Sequence, residues 1–378
     1  MPQVSVVLPC LNEERTVGAC VRKARAAFAA AGLDGEVVVA DNGSTDRSVA
    51  MAAEAGARVA HESRRGYGSA YLKGIAEARG QYIVIADSDD TYDLGEVPAL
   101  VAELRKGADM VLGSRLRGTI KPGAMPWLHR YVGNPILTGL LNLLFGLRAS
   151  DAHTGLRAFT REAYDRLNLR TTGMEFASEM IIAAGQAGLK VAEVPITYYP
   201  RAGESKLRSF RDGWRHLRYM LLRSPTHLFL LPGVLLMVLG WLPLIALAGG
   251  PIVVGSYFID FHYMIVGSAL ALLGLQLLLL GLSAKTYLAA RGLERPDPWL
   301  AWLRSRFSLE RGLLIGLILL AAGLGLGAKI VVVWAEHHFE NIFELRTGLI
   351  ALTLSVSGTQ LIFSSSFLSL FGITTREE

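Results

Sequence analysis

Short apolar runs alternate with polar stretches in the first 225 residues. The runs at 4–8, 36–40 and 82–86 are rich in β-branched side chains, and a further short run lies near Arg58. Such runs are typical of strands that are buried on both faces of a parallel sheet. Stretches with helical character lie between them, roughly at 14–30 and up to about residue 77. Strands that alternate with helices predict a doubly wound α/β domain of the Rossmann type.

Long uncharged runs dominate the rest of the chain. Residues 228–247, 263–283 and 347–371 carry no charged side chain, and 312–334 carries only Lys329, close to one end. Because roughly twenty apolar residues span a bilayer, these four runs predict four transmembrane helices. The predicted organisation is an α/β domain at 1–208, a basic amphipathic helix beside the membrane at 209–225, and an all-α membrane domain at 226–378.

Basic side chains are concentrated just before the first of these spans. The chain of 378 residues has a net charge of +5, and residues 226–378 hold nine basic and nine acidic side chains, so the excess lies in the first 225 residues. The segment from Arg201 to Arg223 alone contributes a net five positive charges. So compact a cluster favours anionic headgroups or phosphate as its partner, whereas nucleic acid would require a broader basic face.

The distribution of Lys and Arg between the spans predicts an orientation. The connection between the second and third spans carries six basic residues, whereas the connection between the first two carries none. The positive-inside rule then places the middle connection, both termini and the α/β domain in the cytoplasm. Two further features fit this placement: Cys10 and Cys20 give no disulfide framework, and the N-terminus begins with a strand-like pattern in place of an apolar signal segment.

Carboxylates directly follow the apolar run at 82–86. Asp87, Asp89 and Asp90 stand within four residues, at the end of a strand where open α/β sheets bind ligands. Carboxylates this close repel one another unless a cation lies among them. A divalent cation that shares its remaining positions with phosphate oxygens is the usual partner, and a solvated acidic turn is the alternative. Asp90 has no clear place in a two-carboxylate site and is interpreted as a capping or supporting residue.

Polar loops also follow the first two strands. Asn12 and Glu13 follow the first strand, and the segment from Asp41 to Asp46 follows the second. The carboxyl ends of parallel strands share one edge, so these loops favour a nucleotide whose base and ribose are held by Asp and Glu and whose diphosphate reaches the metal. Neither a G-x-G-x-x-G fingerprint after a strand nor a Walker sequence is present, which argues against dinucleotide binding and ATP hydrolysis.

These segments, in this order, resemble glycosyltransferase family 2, whose members are inverting enzymes with the GT-A fold. The motifs that carry the resemblance are Pro9 with Asn12-Glu13, Asp41 to Asp46, Gly66-Tyr67-Gly68, Asp87-Ser88-Asp89, Gly113-Ser114-Arg115 and Ser150 to Arg157. The segment from Arg201 to Lys206 further resembles the R-x-G-x-S-K element of polyprenyl-phosphate glycosyltransferases, such as dolichol-phosphate mannose synthase and bacterial undecaprenyl-phosphate glucosyltransferases. The resemblance covers about residues 3–223. Two positions depart from it: Leu11 stands where Tyr is frequent, and Thr91 stands where mannose synthases commonly carry Gln.

The resemblance implies a role for each of these residues. Mg²⁺ or Mn²⁺ would be held by Asp87 and Asp89 with water, and the catalytic residues would be Asp89 and Asp151. The nucleotide-sugar would be bound by Pro9, Asn12, Glu13, Asp41, Gly68, Asp87 and Ser88. Asp151 would orient acceptor or sugar hydroxyls or stabilise positive charge at the anomeric carbon, unless it is only a cap. Independently of the resemblance, a dianionic acceptor phosphate needs cationic side chains to position it, and the candidates are Arg115, Arg130, Arg201 and Lys206, together with Ser205. For Arg201 and Lys206, a purely electrostatic contact with the membrane is the alternative.

The favoured function is inverting transfer of a hexose from UDP-glucose to a dolichyl or undecaprenyl phosphate, giving a lipid-linked monosaccharide. A GDP-mannose-dependent polyprenyl-phosphate mannose synthase is the nearest alternative. A processive polysaccharide synthase is disfavoured because no Q-x-x-R-W element is present, and a non-enzymatic scaffold or flippase because the carboxylates and Lys206 are intact. The expected partners are a UDP- or GDP-hexose, the polyprenyl phosphate and the lipid bilayer, without nucleic acid. Homo-oligomerisation is left open.

Overall fold

The computed structural model describes residues 2–202, 209–291, 302 and 309–370. The chain separates into two compact units, residues 1–220 and 221–378. The division falls inside a helix at Ser209–Leu222, within the segment that the sequence predicts as a juxtamembrane helix. His216 and Met220 of this helix are buried, and Met220 belongs to an apolar core of the first unit. Most of the helix is therefore packed as part of the first unit.

The first unit is built on a seven-stranded sheet. In chain order its strands are β1 (Val4–Cys10), β2 (Gly35–Asp41), β3 (Arg58–His61), β4 (Tyr82–Ile85), β5 (Met110–Ile120), β6 (Arg157–Thr160) and β7 (Val191–Tyr198). Their spatial order is β3-β2-β1-β4-β6-β5-β7. The pairs β1/β2, β2/β3, β1/β4 and β5/β7 are parallel, whereas β6 runs antiparallel to β4 and β5. The strands predicted at 4–8, 36–40, near 58 and at 82–86 are confirmed, and so is the GT-A-like α/β fold.

Helices cover both faces of this sheet. They are α1 (Val17–Ala31), α2 (Ser48–Glu54), α3 (Tyr67–Glu77), α4 (Val97–Arg105), α5 (Asn134–Phe145), α6 (Arg161–Leu167), α7 (Phe176–Gln186) and α8 (Ser209–Leu222). A single 3₁₀ turn at Leu94–Glu96 leads into α4, and a π-helical turn at His129–Gly133 leads into α5.

The central strands supply two apolar cores, one on each face of the sheet. Alternate residues of β4 divide between them, with Val84 in one core and Ile83 and Ile85 in the other. This division follows from the period of two along a strand, and it explains why the central strands read as continuous apolar runs. Full burial of one such side chain contributes roughly 1.5–3 kcal/mol, so the two cores hold the strand ends in fixed positions at the edge of the sheet.

The second unit consists mainly of four long helices. They are α9 (Leu231–Ala246), preceded by a π-helical turn at Thr226–Leu230, α10 (Phe261–Ala290), α11 (Leu309–Glu336) and α12 (Leu345–Leu370). Each is long and apolar enough to cross a membrane, which confirms the prediction of four such helices. A short hairpin of β8 (Ile252–Val254) and β9 (Tyr257–Ile259) connects α9 to α10.

Glycines allow α9 and α10 to approach closely. A Cβ atom added at Gly240 would lie 2.2 Å from the backbone nitrogen of Ala271, and one added at Gly274 would lie 2.4 Å from that of Met237. Any side chain at these positions would force the helices apart. Small residues at such crossings permit close packing in lipid, where burial of apolar surface gives little association energy.

Candidate active site

A cavity of about 1240 Å³ opens at the carboxyl ends of β1 and β4, within the first unit. These two parallel strands are neighbours in register, so the loops that follow them lie side by side. The hydroxyl of Ser88 donates a hydrogen bond of 2.6 Å to the carbonyl of Pro9 and joins the two loops. The predicted site residues that line the cavity are Pro9, Glu13, Asp87, Ser88, Asp89, Arg115 and Arg201.

Asp87 is held by two tyrosine hydroxyls at the end of β4. Tyr67 donates a hydrogen bond of 2.9 Å to its Oδ1 and Tyr71 donates one of 3.3 Å, and both tyrosines project from α3 one helical turn apart. Burial, followed by the nearby charge of Asp89, raises the pKa of the Asp87 carboxyl to about 6. Burial and the charge of Asp87 also raise the pKa of Tyr67 well above its usual value, so this hydroxyl remains a hydrogen-bond donor.

Asp89 is buried between a hydroxyl and a guanidinium. Its Oδ1 accepts hydrogen bonds from the backbone nitrogen and the hydroxyl of Thr91, at 3.1 and 2.6 Å. Its Oδ2 lies 3.2 Å from Nη1 of Arg201, and Nη2 of the same arginine donates to Oε1 of Glu13 at 2.6 Å. One guanidinium therefore bridges two carboxylates, one from the loop after β1 and one from the loop after β4.

The pair of Asp87 and Asp89, called the carboxylate pair below, is chemically suited to a divalent cation. Both members line the cavity, and Asp89 already lies beside a positive charge. Among the residues that the structure describes, no group of three or more His, Cys, Asp or Glu side chains could hold a metal. Two carboxylates with open space for phosphate and water is an arrangement that suits Mg²⁺ in particular.

Asp151 and Arg115 form a buried ion pair. Nε and Nη2 of Arg115 donate to the two carboxylate oxygens of Asp151 at 2.7 and 2.8 Å, and the backbone nitrogen of Arg115 adds a third bond of 3.1 Å. Asp151 is fully buried and does not line the cavity, whereas Arg115 does. The guanidinium carbon of Arg115 lies 5.2 Å from the ring centre of Tyr198. The two residues to which the resemblance assigns separate roles thus act as one unit.

Comparison with known proteins identifies the family. The model of "Glycosyl transferase family 2" matches residues 5–167, and that of the "Glycosyltransferase family 2 C-terminal transmembrane region" matches residues 282–372. The low-salt glycan biosynthesis hexosyltransferase Agl6 of Haloferax volcanii is 45% identical over 373 residues, which cover 98% of this chain and 89% of that protein. The chain belongs to glycosyltransferase family 2. The match to the transmembrane region and the four apolar helices make it an integral membrane protein.

Two further relatives match a little over half of this glycosyltransferase. The dolichyl-phosphate hexose transferase of Haloferax volcanii is 34% identical over 212 residues, covering 56% of this chain and 89% of that protein. An uncharacterized glycosyltransferase of Mycobacterium tuberculosis is 37% identical over 203 residues, covering 53% of this chain and 87% of that protein.

Three residues predicted to bind the nucleotide-sugar do not line the cavity of the glycosyltransferase. Asp41 accepts hydrogen bonds from the backbone nitrogens of Gly43 and Ser44, and Asn12 accepts one of 2.8 Å from that of Thr45. Both side chains therefore organise the loops that follow β1 and β2. The third residue, Gly68, lies against a neighbouring segment, and a Cβ added there would lie 2.2 Å from the carbonyl oxygen of Thr171. Its small size allows the chain at Thr171 to pack against α3.

The remaining predicted residues occupy varied positions. Arg130 lies over the ring of Tyr131, at 5.3 Å from the ring centre, and does not line the cavity. Ser205 and Lys206 lie outside the described residues. Asp90 pairs with Lys23 of α1 at 2.7 Å, so it supports the loop by an ion pair, which is one of the two roles that the sequence suggested for it.

Several cavity residues of the glycosyltransferase were missed from the sequence. Tyr67 was noted only as part of the Gly66-Tyr67-Gly68 motif and Tyr71 not at all, although their spacing of four residues on a helix places them on one face. His153 was likewise given no role. Its Nε2 lies 3.4 Å from Oγ of Ser178, and the same hydroxyl lies 2.8 Å from Nδ1 of His216 on α8. This contact links the segment around Asp151 to α8, and no local sequence signal predicts it.

Proposed function

We propose that the protein transfers a hexose, with inversion, from a nucleotide-sugar to a polyprenyl phosphate. The observation that carries the proposal is one cavity that holds both kinds of charge the reaction requires. The carboxylate pair suits a cation that neutralises the leaving diphosphate, and the guanidinium groups of Arg115 and Arg201 suit the phosphate of an acceptor. The similarity to a dolichyl-phosphate hexose transferase supports this acceptor class.

UDP-glucose is the proposed donor, and Asp87 and Asp89 would hold the Mg²⁺ or Mn²⁺ that accompanies it. When bound, such a cation would offset the negative charge that develops on the departing nucleoside diphosphate. The tyrosine hydroxyls at Asp87 and the hydroxyl of Thr91 at Asp89 would fix both carboxylates before the donor arrives. A fixed arrangement avoids the cost of reorganisation during the reaction.

The acceptor phosphate needs no strong general base. A phosphate monoester is already ionised near neutral pH, so one of its oxygens can attack the anomeric carbon directly while the bond to the diphosphate breaks. This fits an Asp151 whose two carboxylate oxygens are both bonded to Arg115. In this proposal Asp151 is a positioning residue: it holds Arg115 against the cavity, and Arg115 orients the phosphate.

The proposed orientation places the first unit and both termini in the cytoplasm. The six basic residues between the second and third spans support it. Nucleotide-sugars are cytosolic, so the donor would be available on that side. The acceptor's isoprenoid would remain in the bilayer while its phosphate reaches the cavity.

The test is an assay of the purified full-length protein with polyprenyl phosphate and Mn²⁺. Radiolabelled UDP-glucose and GDP-mannose are supplied separately, and the lipid-soluble product is counted. We expect a lipid-linked hexose from UDP-glucose. If product forms only from GDP-mannose, the donor is GDP-mannose and the proposed acceptor class is unaffected. If no product forms from any nucleotide-sugar tested, the proposal is refuted.

Removal of the divalent cation should stop this transfer. With excess chelator we expect the rate to fall by at least about 100-fold, the size of effect produced when one main electrostatic group is removed from an active site. Restoring Mn²⁺ should restore the rate, while thermal unfolding should be little changed by the chelator. Full transfer in the presence of chelator would contradict a cation held by Asp87 and Asp89.

A further inference from the structure

Arg201 occupies the position of a cation between Asp89 and Glu13. It follows β7, whereas its two partners follow β4 and β1, so the ion pairs join three loops at one edge of the sheet. The side chain is only 21% exposed. Because a guanidinium stays charged at any physiological pH, it offsets one of these two negative charges whenever it lies there.

A divalent cation and this guanidinium would compete for Asp89. One oxygen of Asp89 already accepts two hydrogen bonds from Thr91, and the other faces Arg201. A metal bound by the carboxylate pair needs oxygen atoms of Asp89 as ligands, and a positive charge beside them opposes its binding.

We propose that Arg201 and the divalent cation exchange at Asp89, so that arrival of the cation releases the guanidinium toward the acceptor phosphate. This inference rests on the proposed function for the identity of that acceptor. Before the donor is bound, Arg201 stays paired with Asp89 and Glu13 and is withheld from phosphate. The donor with its cation would therefore bind first and the lipid phosphate second. By linkage, phosphate bound to Arg201 strengthens cation binding by the same factor.

Arg115 provides an internal contrast to Arg201. Its guanidinium is held by both oxygens of a fully buried carboxylate that does not line the cavity. Arg201 contacts each of its two carboxylates through a different nitrogen, and one of these contacts is 3.2 Å long. Of these two cavity arginines, Arg201 is thus the one that an incoming cation can displace.

Manganese binding tests the exchange without any sugar transfer. Free Mn²⁺ is measured by electron paramagnetic resonance during titration of the full-length protein in detergent, without nucleotide. Arg201→Gln should bind Mn²⁺ about tenfold more tightly than the parent, within the usual range of coupling between two sites. Lys106→Gln removes the same charge from an exposed position on the surface and should leave binding unchanged. Unchanged or weaker binding by Arg201→Gln would overturn the proposal.

Arg201→Lys keeps the test decisive if the glutamine variant does not fold. Lysine retains the charge but lacks the planar fork that contacts two carboxylates at once. Its Mn²⁺ affinity should lie between those of the parent and Arg201→Gln, and an affinity equal to that of the parent would count against exchange.

Citronellyl phosphate, a short isoprenoid phosphate, tests the release of the guanidinium. The parent should bind it several-fold more tightly with Mn²⁺ and UDP than without them, and Arg201→Gln should lose that gain. If the parent binds the probe equally well in both conditions, the exchange is refuted. The transfer assay is scored separately. If the protein forms product but shows neither binding effect, the exchange is refuted and the proposed function stands. If Arg201→Gln binds Mn²⁺ more tightly but no product forms, the proposed function is refuted and the exchange at Asp89 stands.

Discussion

The first unit neutralises two sets of carboxylates in opposite ways. Asp151 is fully buried and receives three hydrogen bonds from a single arginine, Arg115. In the carboxylate pair, Asp87 accepts hydrogen bonds from two tyrosine hydroxyls, and Asp89 shares its arginine with Glu13. Both sets lie at the same edge of one sheet. They differ in the partners that the protein itself supplies to each carboxylate.

This difference distinguishes a carboxylate that stabilises the fold, Asp151, from carboxylates that are suited to binding a ligand, the carboxylate pair. A buried carboxylate with an intramolecular, two-pronged partner has no need of a ligand, and removing its partner would leave an isolated buried charge. The two members of the carboxylate pair instead repel each other. Burial, and after it the charge of Asp89, raises the pKa of Asp87. Such a site gains most from an added cation, which is why the proposed function assigns the cation to the carboxylate pair and leaves Asp151 to Arg115.

Breaking the Asp151–Arg115 pair should have the largest effect. Arg115→Met leaves a buried carboxylate without its counter-charge, which typically costs about 3–5 kcal/mol. We expect a much lower midpoint for unfolding of the first unit, followed by circular dichroism during denaturant titration. The double variant Arg115→Met/Asp151→Leu removes both charges and should recover most of the loss. Equal stability of the single variant and the parent would show that this pair is not structural.

Neutralising Asp89 should affect catalysis and leave stability nearly intact. Asp89→Asn keeps the shape of the side chain but removes the charge that a cation requires. We expect transfer to fall by about 10²- to 10³-fold, the size typical of a lost electrostatic group in an active site. Thermal unfolding in detergent should change little, because the relief of repulsion with Asp87 offsets the lost ion pair with Arg201. Unchanged turnover would remove Asp89 from the proposed cation site.

The sequence was sufficient for features that are local along the chain. The strands were predictable because short runs of β-branched residues seldom form any other secondary structure in an α/β protein. The carboxylate pair was predictable because Asp87 and Asp89 both follow the end of one strand. The four apolar helices were predictable because length and absence of charge decide them. Each of these inferences uses a stretch shorter than about thirty residues.

Contacts that depend on strand order could not be predicted in the same way. Arg201 and Glu13 are 188 positions apart, and they meet because β7 and β1 direct their following loops to the same cavity. Asp151 reaches Arg115 because β6 lies between β4 and β5, which no local pattern indicates. Gly68 was noted as a motif residue, but its tight contact with Thr171 involves a loop about a hundred residues away.

The tyrosines behind Asp87 allow the smallest and most specific test of the comparison. Tyr67→Phe removes one hydrogen bond of 2.9 Å and retains the ring. The free energy that holds the Asp87 carboxylate in place should fall by about 1 kcal/mol. We expect Mn²⁺ affinity and transfer rate to fall together by roughly fivefold, since RT ln 5 is close to that energy. Tyr131→Phe removes an exposed hydroxyl and serves as the control. If Tyr67→Phe binds Mn²⁺ as the parent does, then the hydrogen bond from Tyr67 does not position Asp87 for the cation.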